Sequence, residues 1–227
     1  MFPLPPDSHI EPTHFDLEKE ALRASGIREE SQIAAYQAKL AELHQAFSRE
    51  TAPVVHPLSR AESLFSWLWK RKPSRYKRHG PFELTETIDA QLGPSNQAVG
   101  NCLGLTLLYN CLLRRLGLVA EALHLKYAFE RGPHVLSCLQ TEDSLLDIEH
   151  VFPHGFGYRD HLNNPTRTRW GDRALVADIY HSLGNRLFER RDWTSALTQY
   201  NLAIDLNPEY EYARLNRAIL LQNMTCR

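Results

Sequence analysis

Residues 100–118 read GNCLGLTLLYNCLLRRLGL. If this run is drawn as an α-helix, apolar side chains fall on nearly every side of it. Two arginines and Gly117 mark its C-terminal end. A helix that is apolar all round belongs in a protein interior, and glycine is common directly after the last helical turn. The run therefore predicts a buried central helix from Asn101 to Leu116.

Three strand-like runs follow the central helix, at residues 120–130, 134–139 and 144–151. Short connections rich in turn-forming residues separate them, which is the pattern of consecutive antiparallel strands. A helix packed on such a meander is the simplest way to bury both elements. The sequence therefore predicts an α+β fold.

The N-terminal part of the chain is helical in pattern. Within residues 33–47 apolar side chains recur every three or four positions, as on the buried stripe of an amphipathic helix. The segments 60–69 and 83–92 also predict helices. We expect residues 1–57 to form a helical extension and residues 58–170 to form the central domain.

The C-terminal part resembles a tetratricopeptide repeat. Residues 177–210 have the 34-residue length of one unit. The residues that match its W-x-x-L-G-x-x-Y and A-x-x-x-F patterns and its final proline are Tyr180, Leu183, Gly184, Leu187, Ala196, Tyr200 and Pro208. A second unit begins at Glu211 but has room for one helix only.

Tetratricopeptide repeats usually need about three units to be stable alone. Residues 177–227 are therefore expected to pack on the central domain or to belong to a longer array. Two interpretations of the segment stay open, a plain helical hairpin and a surface that binds a protein or peptide partner.

Cys102 is the first candidate for a chemical role. It lies in the first turn of the predicted central helix, where unpaired backbone N–H groups and the helix dipole favour an anion. This position favours the thiolate, which is the nucleophilic form of cysteine. Cys111 lies further along the same helix, lacks that field, and is expected to be a core residue.

A nucleophilic thiol needs an imidazole to take up its proton and a third group to orient that imidazole. His134 opens the second predicted strand, and Asp147 lies on the third. Opposite residues of an antiparallel pair point to the same side, so His134 can face Asp147 or, with the register changed by two residues, Glu149. Asp147 is the preferred partner and Glu149 the alternative. The side-chain amides of Gln97 and Asn96, just before the helix, are candidate donors to an oxyanion.

The order of a cysteine at a helix start, a histidine on one strand and an acid on the next resembles the transglutaminase-like superfamily. The closer likeness is to its SirB-type proteins, which carry C-terminal tetratricopeptide repeats. The matching stretches are GNCLGLTLLYNCLLRRLGL, PHVLSCL and LLDIEH. The resemblance implies a papain-like fold in which Cys102 is the nucleophile, His134 the general base and Asp147 the orienting carboxylate. It implies no known substrate.

Composition and motifs narrow the class of protein. The formal net charge of −1 over 227 residues gives no overall attraction to nucleic acid or to an anionic membrane. The basic stretch 70–78 could touch phosphate, but a solvated loop is the preferred interpretation. No apolar run approaches the roughly 20 residues of a membrane helix, and no secretory signal or metal-ligand spacing is present. We therefore expect a cytoplasmic protein that uses no metal or other cofactor.

Two functional hypotheses follow. The first is a thiol-dependent acyl-transfer enzyme, either a hydrolase or amidase on peptide or amide bonds or a transamidase. The second is a catalytically inactive scaffold of the same fold that binds protein partners. An enzyme needs Cys102 accessible and next to His134, whereas a scaffold can leave the thiol buried and inert.

Overall fold

A computed structural model describes residues 15–95, 97–130, 132–141 and 145–225. The helices are Leu17–Ala24 (α1), Glu30–Glu50 (α2), Pro57–Arg71 (α3), Leu84–Leu92 (α4), Cys102–Arg115 (α5), Asp172–Glu189 (α6), Trp193–Leu206 (α7) and Glu211–Thr225 (α8). The strands are Ala120–Leu125 (β1), His134–Gln140 (β2), Leu145–Ile148 (β3) and Thr168–Trp170 (β4). The prediction of a mixed helical and antiparallel-sheet fold is confirmed. Within the described ranges no helix combines the length and the apolar character of a membrane span.

Helix α5 is the centre of the core. Every residue from Leu103 to Leu113 is buried, which confirms the prediction of a buried central helix. The helix begins after Asn101, whose side-chain Oδ1 accepts a hydrogen bond from the Gly104 N–H at 3.1 Å. Such a cap satisfies an N–H group that the first helical turn leaves unpaired. The cap fixes where the helix starts and so places Cys102 in its first turn.

The sheet packs on α5 through β1 and β2. Its strands are antiparallel and lie in the order β3-β2-β1-β4. The expected meander is present, whereas β4 was not predicted, because its 3 residues carry too little alternation to be recognised. Strand β1 ends at Leu125 rather than Glu130. Phe129 and Glu130 have φ values of 51° and 56°, in a left-handed region that an extended strand does not contain.

Helices α1 and α2 pack on the central helix. Leu22, Ile33 and Leu40 are buried in the same apolar core as α5. Arg115, at the end of α5, donates two hydrogen bonds to the carboxylate of Glu18 at 2.7 and 2.6 Å, a paired geometry that orients both groups. Helix α2 agrees with the predicted helix, and α1 was not predicted. The three-part division of the chain at residues 57, 170 and 177 stays a prediction.

The C-terminal helices pack against one another and also pack on the core. Helices α6 and α7 pack against each other, and α8 packs on α7. A Cβ atom at Gly184 would lie only 2.5 Å from a ring atom of Tyr200, so this close approach requires a residue without a side chain. Leu175, Val176 and Ala177 of α6 are buried in the core shared with α5. The segment therefore packs on the central domain, which is one of the two expected arrangements.

The basic stretch 70–78 is only partly a solvated loop. Lys72 is buried, and its Nζ donates to the carbonyl oxygen of Gly93 at 2.5 Å and to that of Ser95. Arg75 is 1% exposed. Lys72 therefore holds the loop in place, and because both cations are buried, neither is presented to an outside phosphate.

Gly104 is a point of close contact between α5 and the segment before it. A Cβ atom at Gly104 would lie 2.6 Å from Thr87 Oγ1 and 2.7 Å from the backbone oxygen of Pro81. Alanine ordinarily favours a helix over glycine by about 1 kcal/mol. We nevertheless expect Gly104→Ala to lower the free energy of unfolding by about 1–3 kcal/mol, because the backbone carbonyl cannot move out of the way. Urea unfolding measures this change.

Gly171→Ala is the matched control for this prediction. Gly171 has a φ of −73°, and no atom lies within 4 Å of its Cβ position. We expect a much smaller change there. Equal unfolding midpoints for the two variants would contradict the close contact at Gly104.

Candidate functional site

Cys102 and His134 meet at the wall of a cavity of about 510 Å³. Cys102 is the first residue of α5, is partly exposed, and lies close enough to His134 for its charge to raise the pKa of the imidazole. The helix end also presents unpaired N–H groups and the positive end of its dipole. The thiol and the imidazole singled out in the sequence are therefore brought together.

The His134 ring is held from two sides. Its Nε2 lies 2.8 Å from Glu149 Oε2, which leaves Nδ1 as the ring nitrogen for Cys102. The residue is 6% exposed, and Phe129 stands edge-on to the ring. A ring held by a hydrogen bond at Nε2 and packed against Phe129 keeps one orientation, which a proton carrier beside a nucleophile requires.

The Glu149 carboxylate is fully buried and well satisfied. His161 Nε2 lies 3.2 Å from the same Oε2, and the Val151 N–H donates to Oε1 at 3.2 Å. Gly155 passes so close to the Glu149 backbone that a Cβ atom there would lie 2.0 Å from the Glu149 carbonyl oxygen. The turn after β3 thus fixes the carboxylate. His161 was given no role from the sequence, because nothing in its spacing links it to Glu149.

Asp147, the carboxylate preferred from the sequence, does not reach His134. Its oxygens accept hydrogen bonds from Arg167 at 2.5 and 2.7 Å. The register explains this, because Asp147 lies opposite Cys138, and four residues of strand, roughly 13 Å, separate Cys138 from His134. Continuing the register puts Glu149 two residues nearer on the same face. The alternative carboxylate, Glu149, therefore takes the place of Asp147 beside His134.

His134 and Glu149 each stabilise the charged form of the other. Burial opposes protonation of His134, but the charges of Glu149 and Cys102 and hydrogen bonds to both outweigh it and raise the pKa of His134 to about 10. Burial also opposes ionisation of Glu149, but the charge of His134 and hydrogen bonds from His134 and His161 lower the pKa of Glu149 to about 2. The two groups form an ion pair at neutral pH. A cation beside a thiol stabilises the thiolate.

The predicted amide donors are not placed by the structure as expected. Gln97 is exposed and lines a separate cavity beside Pro73 rather than the cavity of Cys102. Asn96 lies outside the described residues. Asn101 does line the Cys102 cavity. Its side-chain oxygen Oδ1 caps the helix, and the cap does not involve its amide nitrogen.

The cavity beside Cys102 is walled partly by the C-terminal segment. Its lining includes Arg78 from the loop between α3 and α4, Phe129 and Phe152 from the sheet side, and Asp178, His181 and Asn185 from α6. The sequence did not predict this wall. The repeat pattern identifies positions that pack helix on helix, whereas these α6 residues are polar and lie between those positions.

Three ligand atoms that could hold a metal ion lie within 4.8 Å of one another in the described part of the chain, on His134, Glu149 and His161. Both imidazoles already hydrogen-bond to the carboxylate through Nε2. A metal ion bound there would replace both hydrogen bonds and detach His134 from Glu149. Metal binding and the hydrogen-bonded arrangement therefore exclude each other.

The remaining central cysteines and His150 are structural. Cys111 and Cys138 are buried, and burial raises the pKa of Cys138 to about 12. His150 Nε2 lies 2.8 Å from Ser137 Oγ inside the core, and burial lowers the pKa of His150 to about 3. The core role expected for Cys111 agrees with its position.

Comparison with known proteins supports one part of the sequence analysis. Residues 184–224 match the family described as TPR repeat, and this range covers the end of α6, all of α7 and all but the last residue of α8. The C-terminal part is therefore a tetratricopeptide repeat, as predicted. The comparisons found no matching curated protein and no matching solved structure.

The His134–Glu149 pair makes a prediction about stability and pH. The pKa of His134 is raised in the folded protein to about 10, against about 6.5 when unfolded. Its charge therefore stabilises the fold fully below pH about 6.5, and this contribution is lost as the pH rises towards about 10. We expect Glu149→Gln to lower the free energy of unfolding at neutral pH by roughly 2–4 kcal/mol, because it leaves a buried charge unpaired.

The same variant should also lose less stability between neutral and alkaline pH, because His134 then has a smaller shift. Chemical unfolding measured across that range tests both statements. Glu211→Gln serves as the control, since Glu211 pairs with Lys126 on the surface with a side chain 66% exposed. A native-like pH profile for Glu149→Gln would show that the pair does not control the charge of His134.

Proposed function

We propose that this protein is a thiol-dependent acyl-transfer enzyme that acts on peptide or amide bonds. The observation that carries the proposal is the position of Cys102 beside the hydrogen-bonded pair of His134 and Glu149, at the wall of a cavity. Cys102 is the nucleophile, His134 the proton carrier, and Glu149 the carboxylate that orients His134 and stabilises its charge.

The chemistry divides into two steps. The Cys102 thiolate attacks the carbonyl carbon of the amide, and the tetrahedral intermediate collapses as the amine leaves with a proton from His134. The acyl group stays on Cys102 as a thioester. Water then attacks the thioester, neutral His134 takes a proton from that water, and the acid leaves, which restores the thiolate and the imidazolium. A second amine in place of water would make the reaction a transamidation.

The negative charge of the tetrahedral intermediate needs donors. The N–H groups of Cys102 and Leu103 are available for this purpose, because the first residues of a helix have no acceptor within it. The amide nitrogen of Asn101, on the same cavity wall, is a third donor. These groups take over the role first assigned to Gln97 and Asn96.

The resemblance to the transglutaminase-like superfamily and its SirB-type proteins fits this proposal. The helix that carries the cysteine, the strand that carries the histidine and the terminal repeat occur in the order that this resemblance implies. A papain-like fold is part of the proposal. The departure is the carboxylate, since Glu149 stands in the role that the resemblance gives to Asp147.

The pH dependence of Cys102 alkylation tests the proposal. We expect the native protein to react with iodoacetamide well below pH 8.5, the ordinary thiol value. His134→Ala should lower the rate at pH about 6 by about 300-fold, because only about 1 in 300 ordinary thiols is ionised at that pH. Mass spectrometry of the Cys102 peptide measures each rate.

Asp147 on β3 and Glu149 directly after β3 allow a matched comparison of two carboxylates. Glu149→Gln and Asp147→Asn make the same chemical change, but Asp147 is paired with Arg167. We expect a clear loss of low-pH reactivity in Glu149→Gln only. A slow thiol with an ordinary profile in every form would rule out the enzyme.

A catalytically inactive scaffold that binds protein partners is the second candidate function. The observation that favours it is the exposed apolar surface of α8 in the repeat, where Leu215 and Ile219 are 56% and 41% exposed. Contiguous exposed apolar residues often mark protein contacts. Under this hypothesis the thiol has no role, and the repeat carries the function.

This alternative predicts a different set of sensitive residues. If the protein is a scaffold, changing Leu215 and Ile219 together to serine should weaken partner capture about tenfold or more, because two central apolar contacts are lost. Cys102→Ala should leave capture unchanged. Leu162→Ser is the control, as Leu162 is 48% exposed elsewhere. Quantitative cross-linking measures capture, and equal retention by all variants would reject the α8 surface.

A further inference from the structure

The cavity beside Cys102 has a second polar wall, which the acyl-transfer chemistry does not use. This wall consists of Asp178 and His181 from α6, His124 from β1, and Tyr210, which is the residue before α8. Burial raises the pKa of Tyr210 well above its usual value, and Asp178 and Cys102 add to this shift. The thiol therefore lies within electrostatic reach of this wall.

Asp178 is a carboxylate that forms a hydrogen-bonded group with Tyr210 and His181. Its Oδ1 accepts a hydrogen bond from the Tyr210 hydroxyl at 2.5 Å, and that hydroxyl lies 2.9 Å from His181 Nδ1. His181 Nε2 accepts from the Asn216 side-chain amide at 3.0 Å. An imidazole that accepts at Nε2 carries its proton on Nδ1, so His181 donates to Tyr210 and Tyr210 donates to Asp178.

Asp178 also lines the cavity beside Cys102. In the ranges that the structure describes, Asp178 forms no ion pair with a lysine or an arginine, and its side chain is 15% exposed. The nearest imidazole, His181, places its Nδ1 2.9 Å from the Tyr210 hydroxyl and 3.6 Å from Asp178 Oδ1. A carboxylate in this position attracts a cation that enters the cavity.

His124 adds an independent sign of a ligand. It is 6% exposed, and its ring is stacked on Trp170 with the ring centroids 4.1 Å apart. Its Nε2 has no hydrogen-bond partner within the described residues, although it is buried. Buried polar atoms without partners are rare in folded proteins. Because His124 lines the cavity, a bound group that donates a hydrogen bond would satisfy it.

We propose that Asp178 and His124 form a subsite for a primary ammonium group carried by the molecule whose carbonyl reacts with Cys102. The ammonium places its charge beside Asp178 and donates an N–H to His124 Nε2. Burial lowers the pKa of His124 to about 4, so this imidazole is neutral at physiological pH and does not repel a cation. Phe129 and Phe152 line the cavity nearby and suit the apolar stem of such a group.

This inference rests on the proposed function, since it assigns the substrate of the same thiol. The cavity lining also includes two cations, the exposed Arg78 and His134, whose charge is paired with Glu149. If they dominated the field of the cavity, an anionic molecule would be preferred instead. The sign of the preferred charge is therefore a direct test.

Methanethiosulfonate reagents test the subsite without knowledge of the substrate. The thiolate attacks the sulfenyl sulfur, a disulfide forms and methanesulfinate leaves, so one reaction serves a neutral methyl, an aminoethyl, a trimethylammonioethyl and a sulfonatoethyl reagent. Each rate at Cys102 is divided by the rate of the neutral reagent on the same variant. We expect the aminoethyl reagent to show a ratio about ten times larger in the native protein than in Asp178→Asn.

Two further variants separate charge from hydrogen bonding. Asp205→Asn makes the same change of charge on the exposed face of α7 and should leave every ratio unchanged. His124→Phe keeps a ring to stack on Trp170 but removes Nε2. It should bring the aminoethyl ratio close to the trimethylammonioethyl ratio, because the latter reagent has no N–H to donate. Thermal unfolding of each variant confirms that it is folded.

The outcomes of the two proposals are distinguishable. A native thiol that reacts slowly even with the neutral reagent overturns the enzyme, whatever the charge preference. A fast neutral rate with no cationic preference, or with a preference for the sulfonate, overturns the subsite alone.

Peptide chloromethyl ketones then identify the source of the ammonium group. One carries it on a lysine side chain beside the reactive carbonyl, and another on a free amino terminus. Their neutral counterparts are the norleucine and the acetylated peptides. Faster inactivation by either charged peptide than by its neutral counterpart supports the subsite and identifies the source of the ammonium group. If neither charged peptide inactivates faster, the subsite is rejected.

Discussion

The all-round burial of α5 is the constraint on which the rest of the fold depends. A helix that is apolar on every side must be covered on every side, and the chain supplies the sheet, the N-terminal helices and α6 for that purpose. The start of the helix is where this cover stops. The partly exposed Cys102 lies at this end of α5. The first turn of a helix also has unpaired backbone N–H groups, and the cavity gives a ligand access to them.

The buried carboxylate of Glu149 sets the electrostatics of the site. An isolated ionised carboxylate in an apolar interior is strongly unfavourable, so its presence requires His134 to carry a charge and His161 to add a hydrogen bond. The same pairing leaves His134 protonated beside the thiol. One buried acid therefore governs the protonation of the imidazole and, through the imidazole, the electrostatic environment of Cys102.

Much of the fold could be predicted, because periodicity over ten or more residues marks helices such as α2 and α5 well. The repeat was recognised because close helix contact demands a glycine at position 184 and an aromatic partner at 200. Shorter signals failed. Strand β4 is too brief to show alternation, and left-handed backbone at Phe129 ended β1 earlier than its apolar character indicated.

The site was harder to predict than the fold, because it depends on distances between segments. The sequence placed Cys102 and His134 correctly on their elements, but the choice between Asp147 and Glu149 depends on the strand register, which no local pattern fixes. Gln97 is near Cys102 in sequence but lines another cavity. The α6 wall was missed because packing positions determine a repeat pattern, and polar residues between them do not.

The shared wall has a consequence for biosynthesis. A nascent chain emerges from its N-terminus, so α5 and the three-stranded meander leave the ribosome before α6 does. Throughout that interval Cys102 and His134 are already present while one side of the cavity is still missing. Docking of the repeat is thus the step in maturation that encloses the thiol, and a chain released before that step would expose it to any electrophile in its surroundings.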